Sequence, residues 1–296
     1  MPAMAKVNLC LEVDGTRPDG YHALWSVMHS IALSDAVSVS ENHDAPGLRL
    51  ALTADLPEDN TFTRSYAAFT QAHPETARSG ILVRCDKNIP SQAGLGGASA
   101  DSAAMLTLLH RMFEKNTENI FSLGASVGSD VPFCLMGGCA LAQGRGEILT
   151  PLRAETPTTH LLLIKCEKGV STRELFRIFD EQQTNNKNPE SIEERDARRA
   201  KLLAAASENE GIEFDTFRKY ARNDLEPAVF ALLPEVADAK KLLYDHGARF
   251  ALMTGSGSTV FGVFDDTEAM EAALLAAKKH GYAFVHKTRL TPELMP

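Results

Sequence analysis

The stretch Ile89-Pro90-Ser91-Gln92-Ala93-Gly94-Leu95-Gly96-Gly97-Ala98-Ser99-Ala100-Asp101 constrains this chain more than any other. Its three glycines run straight into a segment where Met105, Leu108, Leu109, Met112 and Phe113 recur at helical spacing. That spacing predicts a helix beginning near Ser99 with one buried face. Glycines let a backbone approach an anion closely. The free N–H groups and positive dipole end of a new helix then favour a phosphate. The pattern is neither GxxxxGK[ST] nor a dinucleotide fingerprint, because Gly94-x-Gly96 continues to Ser99 where a third glycine would stand. A tight connection with Ser99 or Asp101 as helix cap fits the same residues, so the stretch alone leaves both readings open.

What surrounds the loop decides the fold class. Alternation or apolar runs predict strands over Val7–Val13, Val27–Leu33, Ala36–Val39, Leu48–Leu52 and Ile81–Cys85, with a helix over Phe62–Gln71. Several strands before a helix do not make a doubly wound parallel sheet; they predict an α+β fold. A hinge is expected between Leu149 and Thr159, where Pro151 and Pro157 interrupt the pattern. Beyond it come a buried strand Leu161–Ile164 and a polar, charged segment from Asp180 to Gly211. In that segment Gln182 to Asn186 reads as a loop and Arg195 to Ala206 as a solvated helix. The end reads helix Val236–His246, strand Phe250–Met253, strand Val260–Phe264, helix Glu268–Lys279 and strand Ala283–His286, which suits an antiparallel sheet with helices on one face.

The 296 residues suffice for two domains or one large one. With 30 basic and 39 acidic residues the net charge is −9, against broad binding to nucleic acid or anionic membrane. The longest uncharged run, between Asp130 and Arg145, is too short and polar to span a bilayer. No basic region precedes an apolar stretch at the N-terminus, so no secretory signal is expected. The five cysteines are scattered and never spaced CxxC, which predicts core thiols in a reducing compartment, not a metal cluster or disulfide framework.

Three further elements could carry chemistry. Thr254-Gly255-Ser256-Gly257-Ser258-Thr259 lies between two strands; locally a hairpin turn comes first, a turn against a polyphosphate second. Asp130, in Gly128-Ser129-Asp130-Val131-Pro132, is a turn or cap aspartate, or a carboxylate that accepts a proton. Lys6 and Asn8 share one face of the first strand, where a lysine is usually a solvated edge charge.

Together these elements resemble the GHMP kinases, named for galactokinase and the homoserine, mevalonate and phosphomevalonate kinases. That family has an N-terminal lysine strand, a P-x-x-x-G-L-G-x-S-S-A loop and a late G-x-G turn. Arg17-Pro18-Asp19-Gly20-Tyr21-His22, Asn88-Ile89-Pro90 and Asn223-Asp224-Leu225-Glu226-Pro227 match the branch whose alcohol substrate carries a cytidine diphosphate. The ordered set spans nearly the whole chain.

The resemblance implies two lobes, 1–155 like domain 2 of ribosomal protein S5 and 156–296 ferredoxin-like, with the glycine loop in the first. It implies ATP as co-substrate with Mg²⁺, and a small-molecule substrate, cytidine diphosphate-linked methylerythritol, phosphorylated on its 2-hydroxyl in the cytoplasm. Nucleic acid and membrane are not expected as partners, and no residue is assigned as a metal ligand. Carried over position by position, Lys6 and Asp130 would be catalytic. Lys87, Pro90, Gly94, Leu95, Gly96, Gly97, Ala98, Ser99, Ala100 and Asp101 would bind ATP. Asn8, Tyr21, His22, Asp130, Thr172, Phe176, Gly255, Ser256 and Gly257 would bind substrate, with Tyr21 and Phe176 stacking on the base and His22 hydrogen-bonding it. The chain departs from the family at Ala98 and Ala100, where glycine and a second serine are usual, at Met4, and at Ser91-Gln92. Another small-alcohol kinase of the family and a non-catalytic nucleotide-binding relative are the alternatives; the Tyr21-His22 pair speaks against the first, Lys6 with Asp130 against the second.

Overall fold

The computed structural model describes residues 1–152, 159–169, 171–184, 190–207 and 211–291, with the side chains of Thr172 and Arg173 left out. Its first sheet is organised by two long antiparallel strands, β1 (Pro2–Thr16) and β2 (His22–Glu41). The pattern predicts two strands along β2, but the strand runs on through Ser34 and Asp35, which pair with Met4 and Ala3, past an irregularity in register between Ser30 and Ser34. The interruption in apolar pattern has a specific cause. Asp35 is fully buried, and its carboxylate accepts from Asn88 N and Ile89 N and pairs with Lys87. A paired internal charge looks, in sequence, like a turn. β3 (Gly47–Leu52) runs parallel to β4 (Gly80–Asp86), and β4, β2, β5 (Cys139–Gly144) and β6 (Ile148–Leu152) complete the sheet. Part of the expected hinge is therefore strand: Thr150 and Pro151 lie in β6, the sheet's edge, where proline costs no ladder bond on its outer side. Residues 153–158, and with them the expected lobe boundary, lie outside the described residues.

One face of this sheet carries α1 (Thr61–Ala72), α2 (Gly97–Met112), α3 (Ile120–Val127) and α4 (Val131–Met136). Asn60 starts α1 by accepting from Phe62 N and Thr63 N. α2 begins two residues before Ser99 and is buried over more than one face. Met105, Leu106 and Leu109 are fully buried, whereas Leu108, Met112 and Phe113 are only partly so. Small residues such as Ala103 and Ala104 fill the rest of its buried surface. The short α3, α4, β5 and β6 carry too few residues for a period to show.

The second sheet has the order β10 (Phe284–Arg289), β7 (His160–Lys165), β9 (Thr259–Phe264), β8 (Phe250–Met253), every neighbour antiparallel. α9 (Pro234–Asp245) and α10 (Thr267–His280) cover one face, as the closing helix–strand–strand–helix–strand pattern predicts. Around them lie α5 (Thr172–Thr184), α6 (Ile192–Ala205), α7 (Phe214–Tyr220) and α8 (Glu226–Leu232). Gln182, Gln183 and Thr184, expected in a loop, close α5; Asn185 and Asn186 lie outside the described residues. α7 and α8 were not legible in the sequence. This is an α+β fold with two lobes.

The lobes share a core. Val7, Leu9 and Val27 of the first sheet pack in one cluster with Leu161, Leu163, Phe250 and Phe261 of the second. All five cysteines are buried thiols, and burial pushes Cys85, Cys139 and Cys166 up to about 12.

The expected solvated helix α6 is instead pinned by charge. Glu12, almost fully buried on β1, meets Arg198 Nη1 at 2.5 Å and Arg199 Nε at 2.8 Å. Arg198 continues to Glu190, Arg199 to Asp14 and over the Trp25 ring, and Arg222 joins Glu190 to Asp224. Burial alone would raise the Glu12 carboxyl, but the two guanidiniums outweigh it and hold it below the ordinary glutamate range. Glu12→Ala leaves two facing arginines near each other and should lower stability by about 3 kcal/mol, the low end for breaking a buried pair because each arginine keeps another acid. Because the folded carboxyl is the more acidic, this contribution is present above the ordinary pKa of about 4.3 and lost as pH falls through the folded value. Thermal unfolding of both proteins at pH 7 and near pH 3 checks it: the gap between them should shrink in acid.

Candidate active site

Lys6 leaves the edge role usual for a strand lysine. Val7 and Leu9 face the shared core, so Lys6 and Asn8 face the opposite side, into a cleft of about 1030 Å³ between the lobes. Lys6 is buried, and its ammonium donates to Asn8 Oδ1 at 2.7 Å and lies 3.6 Å from Asp130 Oδ2. Asp130 occupies the N-cap position of α4, but its side chain makes no capping hydrogen bond. The turn-or-cap reading therefore fails for the side chain, which reaches the lysine and remains about one-third exposed to the cleft. Gly146 keeps the space beside it open: a Cβ there would stand 3.3 Å from Asp130 Oδ1, at a φ of +120°. Such a pair can present a carboxylate to an alcohol and set a cation against developing negative charge.

The glycine loop is bound to this strand. Lys6 N donates to Leu95 O at 3.0 Å, and a Cβ on Gly96 would stand 3.0 Å from Lys6 Cγ. Gly96 is the N-cap of α2, in the left-handed region, with no side-chain cap. Neither Ser99 nor Asp101 caps the helix, so that alternative falls. Ala100 N already donates to Gly96 O, which leaves the N–H groups of Gly97, Ala98 and Ser99 as the helix's uncapped donors.

A second cleft of about 350 Å³ is lined by Lys87, the continuous run Ile89 to Ser99, and Asp101, together with residues between Leu56 and Arg64 that sequence reasoning did not mark. Gly94 and Gly96 line both clefts, so the two spaces meet at the loop. Ala100 lines neither: its methyl is buried in the core beneath α2, and the missing serine hydroxyl would not face the loop cleft. Lys87 bridges two buried carboxylates, Asp35 and Asp101. Burial pushes Asp101 up to about 6, with Asp35 adding to it and Lys87 opposing.

The late glycine turn is both things the sequence allowed. It joins β8 to β9 as a hairpin, with Thr254 N on Thr259 O, and it touches the glycine loop. A Cβ on Gly94 would lie 2.1 Å from Thr254 O, so only glycine fits, and φ is +71°. Thr254 Oγ1 accepts from Asn8 N. Gly255 and Ser256 line the large cleft, whereas Gly257 sits behind them against Met253. Asn223, buried and seen in the sequence only as part of a motif, holds the turn: Nδ2 donates to Met253 O and Gly255 O, and Oδ1 accepts from Leu225 N.

At the far end of the large cleft lie Tyr21, His22, Phe176 and Asp180. His22 stacks on Phe176 with ring centroids 4.4 Å apart and 15° between planes, and its Nε2 is 2.8 Å from Asp180 Oδ1. Tyr21 is exposed, with the Arg145 guanidinium 5.3 Å from its ring centre. Thr172 opens α5, and its side chain lies outside the described residues. Arg145, Gly146 and Asp180 were missed by sequence reasoning, because nothing local distinguishes them from other turn and helix-surface residues.

Comparison with known proteins follows the same division. Residues 60–138 match the profile "GHMP kinases N terminal domain" and 201–283 match "GHMP kinases C terminal". The chain is 37% identical over 288 residues to the 4-diphosphocytidyl-2-C-methyl-D-erythritol kinase of Desulfitobacterium hafniense, covering 95% of this chain and 92% of that one. It is 41% identical over 270 residues to the enzyme of that name from Pelotomaculum thermopropionicum, covering 90% and 89%. A crystal structure of a 4-(cytidine 5'-diphospho)-2C-methyl-D-erythritol kinase superposes with a TM-score of 0.77 at 28% identity, over 98% of each chain. The homoserine kinase of Cytophaga hutchinsonii shares the fold, with a TM-score of 0.72 at 18% identity over 98% of this chain and 94% of that one.

The glycine contacts make a graded prediction. Gly94→Ala drives a methyl into a backbone carbonyl and should push the two turns apart, whereas Gly96→Ala meets only the stem of Lys6. Both carry the strain of a positive φ, about 1–2 kcal/mol. Gly94→Ala should therefore unfold at lower temperature than Gly96→Ala, measured by calorimetry; the reverse order would refute the contact.

Proposed function

We propose that this chain, which belongs to the GHMP kinases and among them to the 4-diphosphocytidyl-2-C-methyl-D-erythritol kinases, transfers the terminal phosphoryl group of ATP to the 2-hydroxyl of that cytidyl substrate through the residues around its inter-lobe cleft. The observation that carries the residue roles is the Lys6–Asp130 pair, 3.6 Å apart, in a cleft that continues to His22 and Phe176 and meets the glycine loop at Gly94 and Gly96.

Phosphoryl transfer asks mainly for positioning and charge stabilisation. The uncapped N–H groups of Gly97, Ala98 and Ser99 are suited to the phosphates of ATP, with Gly94 and Gly96 letting the chain approach them. Asp130 takes the proton of the 2-hydroxyl as that oxygen attacks phosphorus. Lys6, 3.6 Å from Asp130, stabilises charge on the transferring group. Asn8 orients Lys6 from the cleft floor. On the protein side Mg²⁺ would be held by the Ser99 hydroxyl, which lines the loop cleft at the start of α2. When bound it would neutralise phosphate charge. The base of the substrate goes to Tyr21 and the polar edge of His22; Phe176, expected to stack on the base, has one ring face taken by His22 and backs it.

Asp130→Asn should lower kcat by roughly 10²–10⁴-fold while leaving substrate KM and the melting temperature near wild type. Near-normal turnover in the folded variant would remove Asp130 from the chemistry. Phe176→Ala takes the support from His22, a stacking contact of about 1 kcal/mol. It should raise the KM for the cytidyl substrate several-fold and leave that for ATP alone. Both are read in an assay of ADP release with the cytidyl alcohol, beside mevalonate and homoserine as substrates that should give no turnover.

A further inference from the structure

On the reading of this cleft as a cytosine site, we propose that Asp180 is a positioning residue that sets the tautomer of His22 and thereby makes the site prefer cytosine to uracil. Neutral imidazole carries one proton, and either nitrogen can hold it. A histidine left free can donate to one base and accept from another, so it discriminates poorly. Here that freedom is removed from three sides. Phe176 stacks flat on the ring at 4.4 Å, and Phe179 meets it edge-on at 6.3 Å and 85°, which fixes the ring plane. The Asp180 carboxylate lies 2.8 Å from Nε2.

An ionised carboxylate only accepts hydrogen bonds, so Nε2 must carry the proton. In the neutral ring Nδ1 is then left as an acceptor, and no described residue is seen donating to it. Cytosine presents its exocyclic N4 amine, a donor, where uracil presents the O4 carbonyl, an acceptor. An acceptor nitrogen pairs with the amine and opposes the carbonyl lone pairs. Phe176 and Asp180 stand four residues apart on α5, so one face of one helix supplies both the stacking plane and the proton's anchor. Asp180 is itself half exposed and outside the core.

The test uses CDP and UDP as probes, titrated calorimetrically into the full chain and its Asp180→Asn variant. The amide of the replacement can donate to Nε2 and so move the ring proton to Nδ1. The wild type should bind CDP more tightly, and Asp180→Asn should cut the CDP-over-UDP ratio by on the order of tenfold or more. Nitrogen-15 NMR of the imidazole, assigned by its loss in His22→Gln, should show the Nε2–H tautomer in wild type. A variant that weakens both ligands equally, or keeps the wild-type ratio, overturns the proposal while leaving the cytosine reading intact. An Nδ1–H tautomer in wild type overturns it even if the variant does not fold. Equal binding of CDP and UDP by wild type overturns the cytosine reading, and the role of Asp180 with it.

Discussion

Two glycine turns from distant parts of the sequence touch backbone to backbone, and the site depends on that contact. Gly94 and Thr254 approach so closely that no side chain fits between them. The contact brings the N-terminus of α2, on the first sheet, against the hairpin of the second. Thr254 ties it to Asn8, Asn8 holds Lys6, and Lys6 reaches Asp130. Asn223 keeps the hairpin's carbonyls turned away by donating to two of them. Backbone amides and short polar side chains make a stiff frame, which is what in-line transfer between two bound molecules requires.

Buried charges do the joining. Lys6, Asp35, Glu12 and Asp101 are all withdrawn from water, and each has a partner of opposite sign. Their roles differ with their surroundings. Glu12 meets two arginines, stays ionised and fastens α6 to β1. Asp35 and Asp101 share a single lysine, so burial is less completely offset and Asp101 rises to about 6. Asp130, paired with Lys6, keeps one side open to the large cleft. Pairing fixes the carboxylate's place, and partial exposure leaves it open to the cleft.

The departures from the family pattern read differently once the backbone is known. Ala100, which removes a hydroxyl, points into the core under α2, and its N–H is bound to Gly96 O. On the proposed reading the loop would hold phosphate through backbone donors at the preceding three residues, which any side chain short enough to fit would leave in place. Gln92, by contrast, takes a positive φ and lies against the position a Cβ on Gly169 would fill, so the altered part of the loop touches the second lobe.

Local pattern determined a good deal by itself. Alternation marked β1, apolar runs marked β7, β8 and β9, and the glycines opening into a periodic segment marked α2. The ordered motifs indicated the family, and most of the residues they singled out line the two clefts, beside others such as Ser26, Asn60, Arg64, Arg145 and Asp180 that they did not mark. Other features had no local signature, because their meaning is a contact. Asp35 inside β2 reads as a break until Lys87 and the Asn88 and Ile89 amides are seen around it. The arginines of α6 read as a solvated face until Glu12 is found beneath them, more than 180 residues away. Asp180 is one more acid on a polar helix until His22 lies against it. Periodicity reports which face of an element is buried, whereas the partner of a buried charge is set by which elements meet, and only the tertiary structure decides that.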